Sequence, residues 1–125
     1  MDLKFYKCKK CGKVVAIMKG SPCDTFCCGE AMVELKANTT DAAVEKHVPV
    51  VEKNGNLVTV TVGSVLHPME EKHFIEWIAL ETKNGSQIKA LKPNQEPKAL
   101  FALTEGDEVV KAYAYCNLHG LWADK

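Results

Sequence analysis

From His47 onward, apolar and polar positions alternate in short runs, the period of strands that bury one face. Val58, Val60 and Val62 alternate with Thr59 and Thr61, and Asn54-Gly55 ahead of them predicts a tight hairpin turn. Residues 74–82 and 86–91 flank a second turn of this kind at Asn84-Gly85, and residues 98–103 and 108–115 are separated by Glu105-Gly106-Asp107. With residues 47–53 added, the pattern predicts six or seven closely spaced strands and no long helix, which favours a compact antiparallel sandwich. Trp77, Trp122, Phe101 and Leu103 are its expected core. Upstream lies a polar connector, residues 37–41, and Asp41 is expected to cap one helical turn over residues 42–46.

The first 36 residues read differently. Two short pieces, Cys8-Lys9-Lys10-Cys11-Gly12 and Cys27-Cys28-Gly29, stand either side of Gly20, Ser21 and Pro22, with few large apolar residues between them. A segment this short needs a metal or crosslinks to stay folded. The division predicts a small domain over residues 1–36 and a β-sandwich over 37–125.

Composition narrows the chemistry. At 125 residues, 46% apolar and 26% charged, the chain has room for one soluble domain or two small ones. Its 16 basic residues balance 16 acidic ones, which removes the electrostatic footprint of a nucleic-acid binder. No apolar run approaches the roughly 18 residues of a membrane span, and residues 1–7 lack a secretory leader. The expected location is the cytoplasm, where disulfides rarely persist, so the six cysteines point to metal binding.

Cys8 and Cys11 have a metal-binding gap of two residues, and Cys27 and Cys28 form a second pair downstream. Four thiolates select zinc or iron in tetrahedral geometry, and the spacing leaves both open. The adjacency of Cys27 and Cys28 is expected to strain the angle between their sulfurs. Gly12 and Gly29 are placed to let backbone N–H groups approach the sulfurs. Cys23 competes as a fourth ligand, although a small loop residue is its simpler reading.

The four histidines lie in three places with Cys116: Glu45-Lys46-His47, His67-Pro68-Met69 continuing to His73, and Cys116-Asn117-Leu118-His119-Gly120. Each cluster falls at a predicted strand end or loop, where a sheet can present distant residues to one ion. The pattern predicts a shared histidine and cysteine metal site.

These motifs, in this order, resemble the desulfoferrodoxins, the two-iron superoxide reductases, with Cys8, Cys11, Cys27 and Cys28 matching a desulforedoxin motif. The resemblance implies a rubredoxin-like knuckle domain with a ferric four-thiolate centre, joined to an immunoglobulin-like β-sandwich carrying the active iron. By position, His47, His67, His73 and His119 would be equatorial ligands and Cys116 the axial thiolate. Lys46 would draw in superoxide, and Glu45 would supply a carboxylate to the open position of the oxidised centre. Asn117 and Leu118 would give N–H groups to the Cys116 sulfur, while Pro49 and Pro68 stiffen the ligand loops. Two irons per chain, a rubredoxin-like electron donor and a homodimer are also implied. The rival readings are a dismutase, a non-catalytic electron carrier or metal-stabilised binding module, and a sensor.

Overall fold

The computed structural model describes residues 3–125. Met1 and Asp2, part of the segment read as lacking a leader, lie outside them. The chain divides into two compact units, Met1–Lys36 and Ala37–Lys125.

In the first unit, β1 (Lys4–Lys7) is the middle strand of a three-stranded sheet, between β2 (Val14–Ile17) and β5 (Val33–Glu34). A second, two-stranded sheet pairs β3 (Phe26–Cys27) with β4 (Glu30–Ala31). Among the described residues of this unit, only Phe5, Cys8 and Met32 are buried. That is too little apolar surface to hold some thirty residues, so the cysteine cluster must supply the remaining stability.

The second unit opens with one helical turn, α1 (Val44–His47), and continues as seven strands in two antiparallel sheets. One sheet runs β10 (Lys98–Ala102), β7 (Leu57–Val62), β6 (Pro49–Asn54); the other runs β12 (Gly120–Ala123), β11 (Val109–Cys116), β8 (Ile75–Thr82), β9 (Gly85–Ala90). The threonine and valine alternation of β7 turns Val58, Val60 and Val62 into the core, where they join Phe101, Ile75, Ile78, Leu80, Ala112, Ala114 and Cys116. Both sheets contribute, so the unit is a β-sandwich.

Several expectations shift in detail. Trp122, Phe101 and Leu103 are buried, but Trp77 is half-buried and stacks on Tyr115, with ring centroids 5.4 Å apart, on the face of the sheet opposite Ile78. The helical turn begins at Val44 after Ala43, and no side chain caps it, so Asp41 does not act as predicted. His47 closes that turn and is not part of a strand. Both hairpin loops also move by one residue. Asn54 pairs with Leu57, leaving Gly55 and Asn56 as the loop with Gly55 at φ 62°, where glycine has no side-chain penalty. Thr82 pairs with Gly85, leaving Lys83 and Asn84 as the other loop. There the Asp107 carboxylate accepts bonds from the Thr82 hydroxyl (2.8 Å), the Asn84 N–H (3.0 Å) and the Glu108 N–H (2.9 Å). This remote support replaces a turn that sequence alone would give to Asn-Gly.

Candidate metal centres

The four thiols of the first unit converge. The sulfurs of Cys8, Cys11, Cys27 and Cys28 all lie within 4.8 Å of one another, with Cys11 to Cys27 at 3.7 Å and Cys27 to Cys28 at 3.9 Å. Thiolates about 2.3 Å from a tetrahedral ion stand about 3.8 Å apart, so the set has the size of a four-thiolate site. The expected strain between adjacent Cys27 and Cys28 is not seen at their sulfurs. The backbone absorbs it instead, with Cys28 at φ 52° and Gly29 at φ 77°. Knuckle N–H groups reach Cys8: Cys11 N–H lies 3.5 Å from its sulfur, and this bond, with another from Lys10, lowers the thiol to about 6 against the opposing effect of burial. Cys27 is pushed up to about 12, chiefly by hydrogen bonding with Cys8 and then Cys11, and Cys28 is raised chiefly by Cys11. Such a cluster shares protons when no cation replaces them. Cys23 is exposed and lies outside the cluster; its own N–H bonds the Ser21 hydroxyl at 3.2 Å.

In the second unit, the histidines and Cys116 come together at one end of the sandwich, at the end of α1, after β7, before β8, and along the turn from β11 to β12. The imidazoles form a closed cycle. Ring centroids are 4.7 Å apart for His47 and His67, 4.7 Å for His67 and His73, 5.2 Å for His73 and His119, and 4.9 Å for His119 and His47. Neighbouring planes cross at 76° to 84°. Cys116 joins them: its sulfur and one nitrogen each of His47, His67 and His73 lie within 4.8 Å of one another, and it stands 3.9 Å from His119 Nδ1.

Hydrogen bonds show which nitrogens face inward. His47 Nδ1 donates to the Ala43 carbonyl and His67 Nδ1 to the Pro68 carbonyl, each at 2.7 Å. Both Nε2 atoms are then lone pairs, yet they face each other at 3.2 Å, and His119 Nδ1 lies 3.1 Å from His47 Nε2. Neighbouring nitrogens about 2.1 Å from one ion are separated by about 3 Å. His73 Nε2 is buried and has no hydrogen-bond partner. Converging lone pairs and an orphaned buried nitrogen are costly without a cation among them and satisfied with one, so the residues fit a metal.

Burial lowers His47, His67 and His73, with His67 brought down to about 4, so these rings are neutral donors near pH 7. Burial raises the Cys116 thiol, against N–H groups of His119 (3.4 Å) and Leu118 directed at its sulfur. Leu118 therefore acts as expected, but the Asn117 N–H points elsewhere, to the Phe74 carbonyl at 3.2 Å. Glu45 and Lys46 are exposed on α1 beside His47.

Sequence reasoning missed three supports. The Ala43 carbonyl is unreadable because any residue supplies one. Trp122, expected as core, also stacks on His47 at 4.8 Å and donates its indole N–H to the His119 carbonyl at 3.0 Å. Gly63 lies so close to Glu45 and Lys46 that no side chain fits between.

Comparison with known proteins extends this picture. The family model for desulfoferrodoxin matches residues 39–125. Desulfoferrodoxin from Nitratidesulfovibrio vulgaris is 52% identical over 119 residues, covering 95% of this chain and 93% of its own. The crystal structure of the superoxide reductase from Treponema pallidum is 40% identical, with a TM-score of 0.85 and full coverage of both chains. A one-iron superoxide reductase from Giardia intestinalis is 38% identical with a TM-score of 0.54, covering 63% of this chain and 94% of its own. Since the family model takes in the sandwich with all its histidines and the longer relatives take in the cysteine unit as well, the chain belongs to the desulfoferrodoxin family.

Proposed function

We propose that the protein is a superoxide reductase, which joins superoxide with one electron and two protons and releases hydrogen peroxide without forming dioxygen. The observation that carries this is the closed ring of four imidazoles joined by the Cys116 sulfur. The two donor sets match two iron centres, Cys8, Cys11, Cys27 and Cys28 for one, and His47, His67, His73, His119 and Cys116 for the other. His47, His67, His73, His119 and Cys116 would hold a ferrous ion, which would supply the electron for reduction of the substrate anion.

The residues divide the remaining work. Burial favours the neutral form of His47, His67 and His73, and with imidazole ligands uncharged the Cys116 thiolate would be the one charged donor, so a ferrous ion held there would leave the site a formal charge of +1 that attracts an anion. Its sulfur donates electron density, and the N–H groups of Leu118 and His119 moderate that donation. Lys46 is close enough for its charge to disfavour protonation of His47 and His73, which supports its role in drawing superoxide to the centre and hydrogen-bonding the developing peroxide. Glu45, the residue before Lys46 and exposed on the same turn, would be the carboxylate offered to the oxidised centre. The four-thiolate centre relays electrons or holds its unit folded, because four sulfurs close a tetrahedral ion.

The setting of the enzyme completes this reading. Seven antiparallel strands in sheets of three and four support an immunoglobulin-like sandwich. No described helix is long and apolar enough to cross a membrane. A cytoplasmic enzyme, homodimeric and served by a rubredoxin-like donor, is the setting we assign.

The test is product stoichiometry. Under a reductant, each superoxide consumed is expected to give one hydrogen peroxide and no dioxygen; one dioxygen for every two superoxides would instead identify a dismutase. Lys46→Ala is expected to slow superoxide capture about tenfold at low salt and to flatten its salt dependence. Pulse radiolysis at several ionic strengths measures both, and slopes equal to the parent's would remove Lys46 from the mechanism.

A further inference from the structure

We infer that Asn117 is a positioning residue that ties the His73 loop to the Cys116 turn, so that two ligands from distant segments are held as one frame. This rests on the iron site assigned above. The three bonds of Asn117 all go to the two residues flanking His73. Its Oδ1 accepts the Phe74 N–H at 2.9 Å, its Nδ2 donates to the Lys72 carbonyl at 2.9 Å, and its own N–H bonds the Phe74 carbonyl at 3.2 Å. Only one orientation of the amide meets a donor on one side and an acceptor on the other, so the side chain is specified as well as the contact.

The sheet explains why this falls to Asn117. Cys116 pairs with Ile75 and Tyr115 with Trp77, so Glu76 is an extra residue in β8 beside the ligand. A bulge of this kind ends regular pairing and bends the strand that carries it. Past the bulge the ladder has one more backbone bond, from Asn117 to Phe74, and the side chain supplies the next two. His47 and His67 are oriented by carbonyls on Nδ1, from Ala43 and Pro68. His73 is placed through its backbone, by Asn117 on both sides and by its own paired bonds with Glu70 at 2.9 and 3.0 Å. Aspartate, serine or alanine would leave at least one bond unmade.

The full-length protein tests this through ferrous affinity at the second site, measured against a competing chelator, and through hydrogen exchange of the Phe74 amide. Asn117→Ala is expected to weaken that affinity about tenfold, as loss of an outer-shell partner does, to shift the visible band of the ferric thiolate, and to speed Phe74 exchange. Asn117→Asp keeps the acceptor for Phe74 but not the donor for Lys72, so it should retain Phe74 protection while still binding iron more weakly than the parent. Parent-like affinity in either variant that keeps the β-sheet circular dichroism overturns the inference, and so does a Phe74 amide in the parent that exchanges as fast as an open loop. A parent that takes up no iron at the second site would defeat the superoxide reductase reading instead.

Discussion

Replacing Cys116 by serine is expected to abolish superoxide reduction while leaving the sandwich folded and the four-thiolate centre loaded. Cys116 is fully buried, part of the core with Ile75 and Ala114, and its sulfur receives N–H groups from Leu118 and His119. Burial raises its thiol, so a neighbouring cation is what ionises it at neutral pH. A serine hydroxyl holds its proton far more tightly and offers a harder, less donating oxygen. The loss should exceed the roughly 10–100-fold that accompanies removal of an outer-shell partner, because a ligand itself is gone. The thiolate-to-iron band of the second centre should vanish from the visible spectrum, while bands of the first centre persist. Burying a poorly satisfied hydroxyl costs about 1–3 kcal/mol, small enough for a folded protein to be measured. A serine variant that reduces superoxide at the parent's rate would show that the sulfur is not a ligand in the working enzyme.

That experiment bears on a residue whose chemistry is visible in the sequence but whose neighbours are not. The valine and threonine alternation of β7 sets which face is buried, because side chains of a strand alternate whatever lies elsewhere. The cysteine and histidine motifs are likewise local signals, and they name every donor the structure brings together. The hairpin loop between β8 and β9 differs from expectation by one residue because Asp107, 23 residues from Asn84, supplies bonds that no local pattern contains. Trp77 leaves the expected core because hydrophobicity says that a ring is covered, not which side of a sheet covers it. The same limit hides the supports of the metal ring. Trp122 against His47 and Asn117 against residues 72 and 74 are contacts between segments some 43 to 75 positions apart. Gly63 alone leaves a trace, since a glycine just past the apolar strand β7 marks a place where another backbone comes near.

Gly63→Ala turns that trace into a second large effect. A Cβ at this position would stand 2.5 Å from the Glu45 carbonyl oxygen, 2.9 Å from the Lys46 carbonyl carbon and 3.1 Å from that of Glu45, all backbone atoms that cannot rotate aside. The oxygen is also held there, by the Val65 N–H at 2.9 Å and the Ser64 hydroxyl at 3.3 Å. Relief therefore requires moving the turn α1, which carries Lys46 and ends in His47. The imidazole of His47 lies 3.1 Å from one ring nitrogen and 3.2 Å from another, so a shift of about an ångström opens the cycle. Misplacement on that scale can cost about 100-fold in rate, and overpacking costs about 1–3 kcal/mol of stability. We expect both, read as a lower melting temperature and an iron content near one per chain after dialysis against a chelator. Gly85→Ala is the control, since nothing lies within 4 Å of a Cβ placed there and its backbone is not in the left-handed region. If Gly63→Ala melts, binds iron and reduces superoxide as Gly85→Ala does, the turn accommodates the methyl group and the close approach of these two backbones has no part in placing His47.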